Sequence, residues 1–199
     1  MEISAHEPKY TPEQYLALER NAPHKSEYIN GHIFAMAGAS QQHNQITFNI
    51  AVALGIQIKG RTCVAYSSDM RIKVSQTGLY TYPDIVATCH DPQFEDAAVD
   101  TLLNPAMIIE VLSDSTEAYD RGAKFAHYRR LPSLQEYVLI AQGHICVEHF
   151  IRQDESWILI ESTLLCEIIH LSSIQCSISL SDIYDKVKFT EKNSSRFVQ

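Results

Sequence analysis

An α/β or α+β fold is predicted: a mixed β-sheet core flanked by helices, with additional antiparallel strands in the C-terminal third. Three observations carry it. Apolar runs of strand length recur, among them "TCVAYSSDMRIKV" (62–74), "LYTYPDIVATC" (79–89) and "AMIIEVLS" (106–113). Longer segments of helical spacing are set between them, near 40–60 and 120–131. Then "LQEYVLIAQ", "HICVEHFIR", "SWILIEST" and "IHLSSIQCSIS" follow with no helical stretch between, as in an antiparallel meander.

Each element has a local reason. Thr11-Pro12-Glu13 supplies an N-cap, a proline at the first helical position and an acidic first turn, predicting a helix to about Glu19. "SEYINGHIFAMAG" (26–38) alternates about Asn30-Gly31, the short-range signal of a two-residue hairpin. Ser40 then caps a segment whose Ile46, Ile50, Val52, Leu54 and Ile58 recur at helical spacing until Gly60. "HDPQFEDAAVDTLLNP" is polar and bounded by proline, hence a loop. Asp120 to Leu131 reads as a helix with Phe125 and Tyr128 inward, stopped by Pro132. "SLSDIYDKV" is a closing helical turn, and the tail at about 190–199 is expected to be mobile. No repeat or linker divides the chain, so 1–199 reads as one domain with its core at about 10–185.

Composition narrows the function classes. With 45% hydrophobic residues in 199 positions, the chain can bury a proper core. It has no apolar run of about 18 residues, so a membrane span is excluded as an expectation. The start, MEISAHEPKY, lacks the features of a signal peptide. Cysteines 63, 89, 146, 166 and 176 include no C-x-x-C pair. Reduced thiols in a cytoplasmic protein are therefore expected, with no zinc ribbon or disulfide framework. No nucleophile elbow is present, which argues against a serine hydrolase. The formal charge of −8 weighs against a broad basic grip on nucleic acid; the dense basic cluster is Arg121, Lys124, Arg129 and Arg130. Bound cations would neutralise part of the acidic excess.

Two acids stand out chemically. Asp84 in "LYTYPDIVATC" and Glu110 in "NPAMIIEVLSDST" each interrupt an apolar strand. Paired carboxylates in a low dielectric repel unless they share a proton, meet basic groups or hold a divalent cation. A hard cation such as Mg²⁺ takes one or two carboxylates plus water and phosphate oxygens, and the carbonyl of Val111 could complete the shell. Asp120, Lys124 and Tyr128 are spaced four apart and share one helix face, from which Lys124 can reach a metal-bound water.

Pro83-Asp84 followed by Glu110 is similar to the PD-(D/E)xK nuclease signature. The blocks "SEYINGHIFAMAG", "PDIVATC" and "IIEVLSDSTEAYDRGAKFAHYRRLPSLQEYVLI" resemble the Uma-two family of endonuclease-like proteins over about 10–185. That resemblance implies a restriction-endonuclease-like fold and hydrolysis of DNA phosphodiester bonds by metal-activated water, with Mg²⁺ as cofactor and Mn²⁺ as a substitute. Asp84, Glu110 and Val111 would be the metal ligands. The lysine expected two residues after Glu110 is absent, since Leu112 stands there. The resemblance implies that Lys124 takes its place. It also matches Glu27 in the first hairpin and His43 at the next helix start to site residues, and Asp69 to a recurring acid. Duplex cleavage needs two sites, so a homodimer is expected. The alternative reading, favoured by the acidic balance, is a catalytically silent nuclease-fold module for DNA binding or assembly. A third is an enzyme acting on a small phosphorylated molecule.

Overall fold

The structure, a computed structural model, describes residues 9–189; the predicted tail at 190–199 lies outside them. Helix α1 (Pro12–Glu19) starts at Thr11, whose side chain accepts from the Gln14 N–H while Gln14 accepts in return from the Thr11 N–H. Strands β1 (Ser26–Ile29) and β2 (His32–Ala35) form the expected hairpin, with Asn30 and Gly31 both at positive φ. Helix α2 (Gln41–Ile58) is capped by Ser40 and buries Ile46, Ile50 and Leu54.

The next two apolar runs are not single strands. Residues 62–74 divide into β3 (Val64–Ser67) and β4 (Arg71–Val74), and residues 79–89 into β5 (Leu79–Thr81) and β6 (Ile85–Thr88). In both cases the two halves join different sheets. One sheet runs β2-β1-β5-β4-β7, where β7 (Thr101–Leu102) is a short strand inside the segment read as loop. The other runs β11-β10-β9-β8-β6-β3, with β8 (Met107–Leu112), β9 (Glu136–Ala141), β10 (Val147–Gln153) and β11 (Ser156–Ser162). Pro83 lacks an N–H for a ladder, and the chain changes sheet at Pro83-Asp84. Asp84 therefore sits at the joint between the sheets, not within a strand as the sequence implied.

Between β8 and β9, which pair in parallel, one helical stretch crosses the sheet: α3 (Glu117–Tyr119), a wide π turn (Asp120–Lys124) and α4 (Phe125–Tyr128). It begins and ends three residues earlier than the predicted 120–131. Strands β12 (Ile168–Leu171) and β13 (Cys176–Ser179) form a separate hairpin, and α5 (Leu180–Ile183) follows. The fold is thus mixed α+β, with antiparallel strands through its C-terminal third.

Alternation along β6 and β8 divides the core. Ile85, Ala87, Met107, Ile109 and Val111 pack with Ile46, Ile50 and Leu54 of α2. On the opposite face, Val86, Ile108 and Leu112 pack with Phe125 and Tyr128. Glu110 stands between Ile108 and Leu112 in that second row, so a carboxylate occupies a core position. A third cluster, Tyr15, Leu16, Tyr28 and Tyr80, holds α1 on the smaller sheet.

The expectation of five reduced thiols is corrected here. The β3–β6 register pairs Val64 with Thr88, which brings the flanking Cys63 and Cys89 together, and they are joined as a disulfide. Cys146, Cys166 and Cys176 are free. Among the described residues, no helix is long and apolar enough to cross a membrane.

Candidate functional site

Register sets the first pair. Ile85 lies opposite Ile109, so one step further along the antiparallel ladder Asp84 lies opposite Glu110. Asp84 Oδ2 accepts from the Val111 N–H at 2.8 Å and lies 3.1 Å from His43 Nε2 at the start of α2. The Asp84 N–H points back to Glu110 Oε2 at 3.4 Å. The two acids differ in access: the Asp84 side chain is 16% exposed and that of Glu110 is 5% exposed.

The crossing helix supplies the cation. Lys124 Nζ lies 3.0 Å from Glu110 Oε1, 3.3 Å from Asp120 Oδ1 and 3.3 Å from Glu27 Oε1. The Tyr128 hydroxyl donates to Glu110 Oε1 at 2.8 Å. Asp120, Lys124 and Tyr128 thus use their shared face as the spacing predicted, on a helix whose π turn brings residues four apart closer to alignment. Glu27 reaches the site from β1 and accepts a short hydrogen bond from the Thr81 hydroxyl at the end of β5.

Charge does not balance in this cluster. Glu27, Asp84, Glu110 and Asp120 bring four carboxylates to one buried ammonium, with the His43 imidazole at the edge. Burial pushes the Glu110 carboxyl up to about 8; Lys124 opposes that rise, while Asp120 and Asp84 add to it. Burial also raises Asp120. For Lys124, burial favours the neutral amine, but Glu110, Glu27 and Asp120 outweigh it and hold the group well above the ordinary lysine range. The lysine stays charged, and the shortfall of positive charge falls on the buried Glu110.

Glu27, His43, Asp84, Glu110, Asp120 and Lys124 line one cleft of about 1070 Å³, together with Val111, Tyr119 and the segment Phe34 to Ser40. Asp84, Glu110, Lys124, Glu27, His43 and Val111 are therefore brought to one solvent-reachable place. Asp69 lines the same cleft at a distance from this cluster: its side chain is 88% exposed and pairs with Lys25 at 3.1 Å. Asp120 and Tyr128 were visible in the sequence as helix-face companions of Lys124. Thr81 carried no signal, because its contact with Glu27 depends on β1 and β5 being neighbours.

The donor set fits a hard divalent cation. Among the described residues no donor reaches Asp84 Oδ1, and Glu110 Oε2 has the long contact from Asp84 N–H alone. Two carboxylates, one on β8 and one at the joint before the adjoining β6, beside an excess of negative charge are the oxygen chemistry that Mg²⁺ or Mn²⁺ selects. A tighter group of possible ligands, Cys146, Glu148 and Glu161, lies on β10, β11 and the turn before β10. Arg121 already forms an ion pair with Glu148 there.

Comparison with known proteins identifies the fold and the family. A solved structure described as a "putative nuclease belonging to DUF820 from Anabaena variabilis ATCC 29413" superposes with a TM-score of 0.74 at 20% identity, over 90% of this chain and 99% of that one. At that identity the likeness shows the fold. Two proteins of Synechocystis sp. (strain ATCC 27184 / PCC 6803 / Kazusa) are similar in sequence. "Uncharacterized protein sll1609" is 41% identical over 152 residues, covering 76% of this chain and 86% of its own. "Uncharacterized protein slr1290" is 35% identical over 186 residues, covering 94% and 97%. The family model Uma2, described as "Putative restriction endonuclease", matches residues 12–181, and the chain belongs to that family.

Proposed function

We propose that this protein is a divalent-metal-dependent endonuclease that hydrolyses phosphodiester bonds of DNA, with Mg²⁺ as the working ion and Mn²⁺ able to replace it. The carrying observation is the convergence of Asp84, Glu110 and Lys124 on one cleft from three separate elements. Asp84 and Glu110, with the carbonyl of Val111, would hold the ion. A bound ion supplies Lewis-acid polarisation of the scissile phosphate and a more acidic water.

The chain's own residues do the rest. Lys124 acts as a fixed positive charge and hydrogen-bond donor, not as a general base, because its ammonium is held so firmly protonated. It orients the attacking water and stabilises charge developing on the phosphate oxygens. Glu27 and Asp120 hold the ammonium in place from two sides. Tyr128 fixes one oxygen of Glu110, which leaves the other turned toward Asp84. His43 orients Asp84. The acidic lining means that phosphate approaches with the help of a cation, in agreement with the formal charge of −8.

A second reading keeps the fold without turnover. In the cleft, Lys25 and Lys124 are both already ion-paired, which favours a module that binds or assembles without cleaving. The deciding experiment incubates supercoiled, linear duplex and single-stranded DNA with Mg²⁺, Mn²⁺ or chelator, using wild type and Asp84→Asn. Metal-dependent cleavage lost in Asp84→Asn is the expected result. Cleavage that survives the substitution, or DNA binding with no cleavage under any of these conditions, overturns the catalytic reading.

A further inference from the structure

Strand β11, "SWILIES", is the last strand of the six-stranded sheet and has β10 on one side alone among the described residues. Its seven residues pair with β10 in unbroken register, from Gln153 opposite Ser156 to Val147 opposite Ser162. Ile158, Leu159 and Ile160 are 41%, 50% and 49% exposed. Isolated edges usually carry charged side chains, a proline or a bulge that prevents pairing with another chain; β11 has no lysine, proline or bulge, and its one charge is Glu161.

Register also shows which backbone groups face outward. Arg152 N–H donates to Gln135 at 2.8 Å and Ala141 N–H to Cys146 at 3.0 Å, so the even-numbered residues of β10 bond toward β9. Its odd-numbered residues then bond toward β11, where Val147, His149 and Ile151 face Ser162, Ile160 and Ile158. The N–H and C=O groups of Trp157, Leu159 and Glu161 are left pointing away from the sheet.

That outward pattern is complementary to itself. A two-fold axis through Leu159 sets Leu159 against Leu159, Trp157 against Glu161, Ile158 against Ile160 and Ser156 against Ser162. Every outward N–H and C=O of the three odd-numbered residues then finds a partner, two bonds to each facing pair. Apolar side chains meet apolar side chains on both faces of the sheet. The two serines meet at the ends of the strand, and Trp157 against Glu161 is a match of another kind. The indole N–H of Trp157 makes no hydrogen bond among the described residues, and a carboxylate arrives opposite it. An unrelated strand would have no reason to meet these conditions at once.

We infer that β11 pairs antiparallel with β11 of a second copy of this chain about Leu159, joining two six-stranded sheets into one. This assignment stands on the edge strand and does not depend on the nuclease reading. The test is sedimentation equilibrium of the full chain, combined with residue-resolved amide exchange. Wild type is expected as a dimer in which the amides of Trp157, Leu159 and Glu161 are protected like those of Ile158 and Ile160. Leu159→Pro removes an outward N–H and leaves the β10 ladder intact, a position where an edge strand tolerates proline. Leu159→Lys sets two ammonium groups against each other on the axis. Each variant should halve the sedimenting mass to that of a 22.5 kDa chain while keeping the far-ultraviolet spectrum of wild type. A monomeric wild type overturns the proposal. So does a dimer that survives both substitutions, which would assign the interface to another surface such as the exposed Phe48 and Ile56 of α2. Protected outward amides in a monomer would overturn it too, by showing that the chain's own remaining residues cover the edge.

Discussion

Lys124 and Glu110 meet at 3.0 Å with side-chain exposures of 6% and 5%, a buried pair made by a helix laid across the sheet end. Glu27 and Asp120 complete a ring of three carboxylates around the ammonium. Replacing Lys124 by methionine leaves that ring without its cation. We expect a loss of about 3–5 kcal/mol in denaturant unfolding, as for other broken buried pairs. Cleavage should fall by about 100-fold or more. Adding Glu110→Gln to the same chain should restore part of the stability, and the double-mutant cycle measures how much.

Stability of the metal-free protein should depend on pH through Glu110. Its carboxyl is raised from 4.5 to about 8, so the folded state keeps a proton that the unfolded chain has lost. The resulting stabilisation is complete below about pH 4.5 and disappears as pH rises to about 8. Denaturation midpoints should decline across this window, and Glu110→Gln should flatten the decline.

The same proton gives a signature for the ion. Cation binding requires the carboxylate, so Mg²⁺ or Mn²⁺ should expel about one proton at neutral pH. Titration calorimetry in buffers of different ionisation enthalpy reads this directly. Binding with no change in proton count would place the ion away from Glu110.

Tyr128→Phe removes the 2.8 Å hydrogen bond to Glu110 and changes little else in volume. A loss of about 0.5–1.5 kcal/mol is expected while Glu110 holds its proton, rising to about 1.5–3 kcal/mol above about pH 8, where the acceptor is charged. The acidic limb of the cleavage profile should also move to higher pH, because the bond favours the ionised acid. A general loss of packing would lower the rate without moving that limb.

His43 and Asp69 should behave oppositely, although both match acids or bases of the family pattern. His43 lies 3.1 Å from Asp84, and His43→Ala should weaken metal binding about 10–100-fold. Asp69 is 88% exposed with a single surface pair to Lys25. Asp69→Ala should change stability by no more than about 0.5 kcal/mol and leave cleavage intact. Calorimetric titration and plasmid cleavage of both variants make the comparison.

Much of the site was legible because its residues break local rules. An acid among Ile108, Ile109, Val111 and Leu112 is conspicuous in any strand, and so is one among Tyr82, Ile85 and Val86. The hairpin at Asn30-Gly31 and the caps at Thr11 and Ser40 were equally local. The breaks in 62–74 and 79–89 were not legible, since apolar composition is the same whether a run stays in one sheet or passes between two. The Cys63–Cys89 pairing escaped for the same reason: it follows from the β3–β6 register, which neither strand specifies alone.

The sequence by itself determined that Asp120, Lys124 and Tyr128 share a face, because helix geometry follows from the backbone within a few residues. It also determined that Asp84 and Glu110 need compensation, because burial of charge is unfavourable in any fold. Only the tertiary structure decided what that compensation is. The chain changes sheet at Pro83-Asp84, the parallel β8–β9 crossover lays its helix over the sheet, and Lys124 is enclosed by acids from β1, β8 and its own helix. Those are distances between residues remote in sequence, set by packing two sheets and a helix together, and no local pattern contains them.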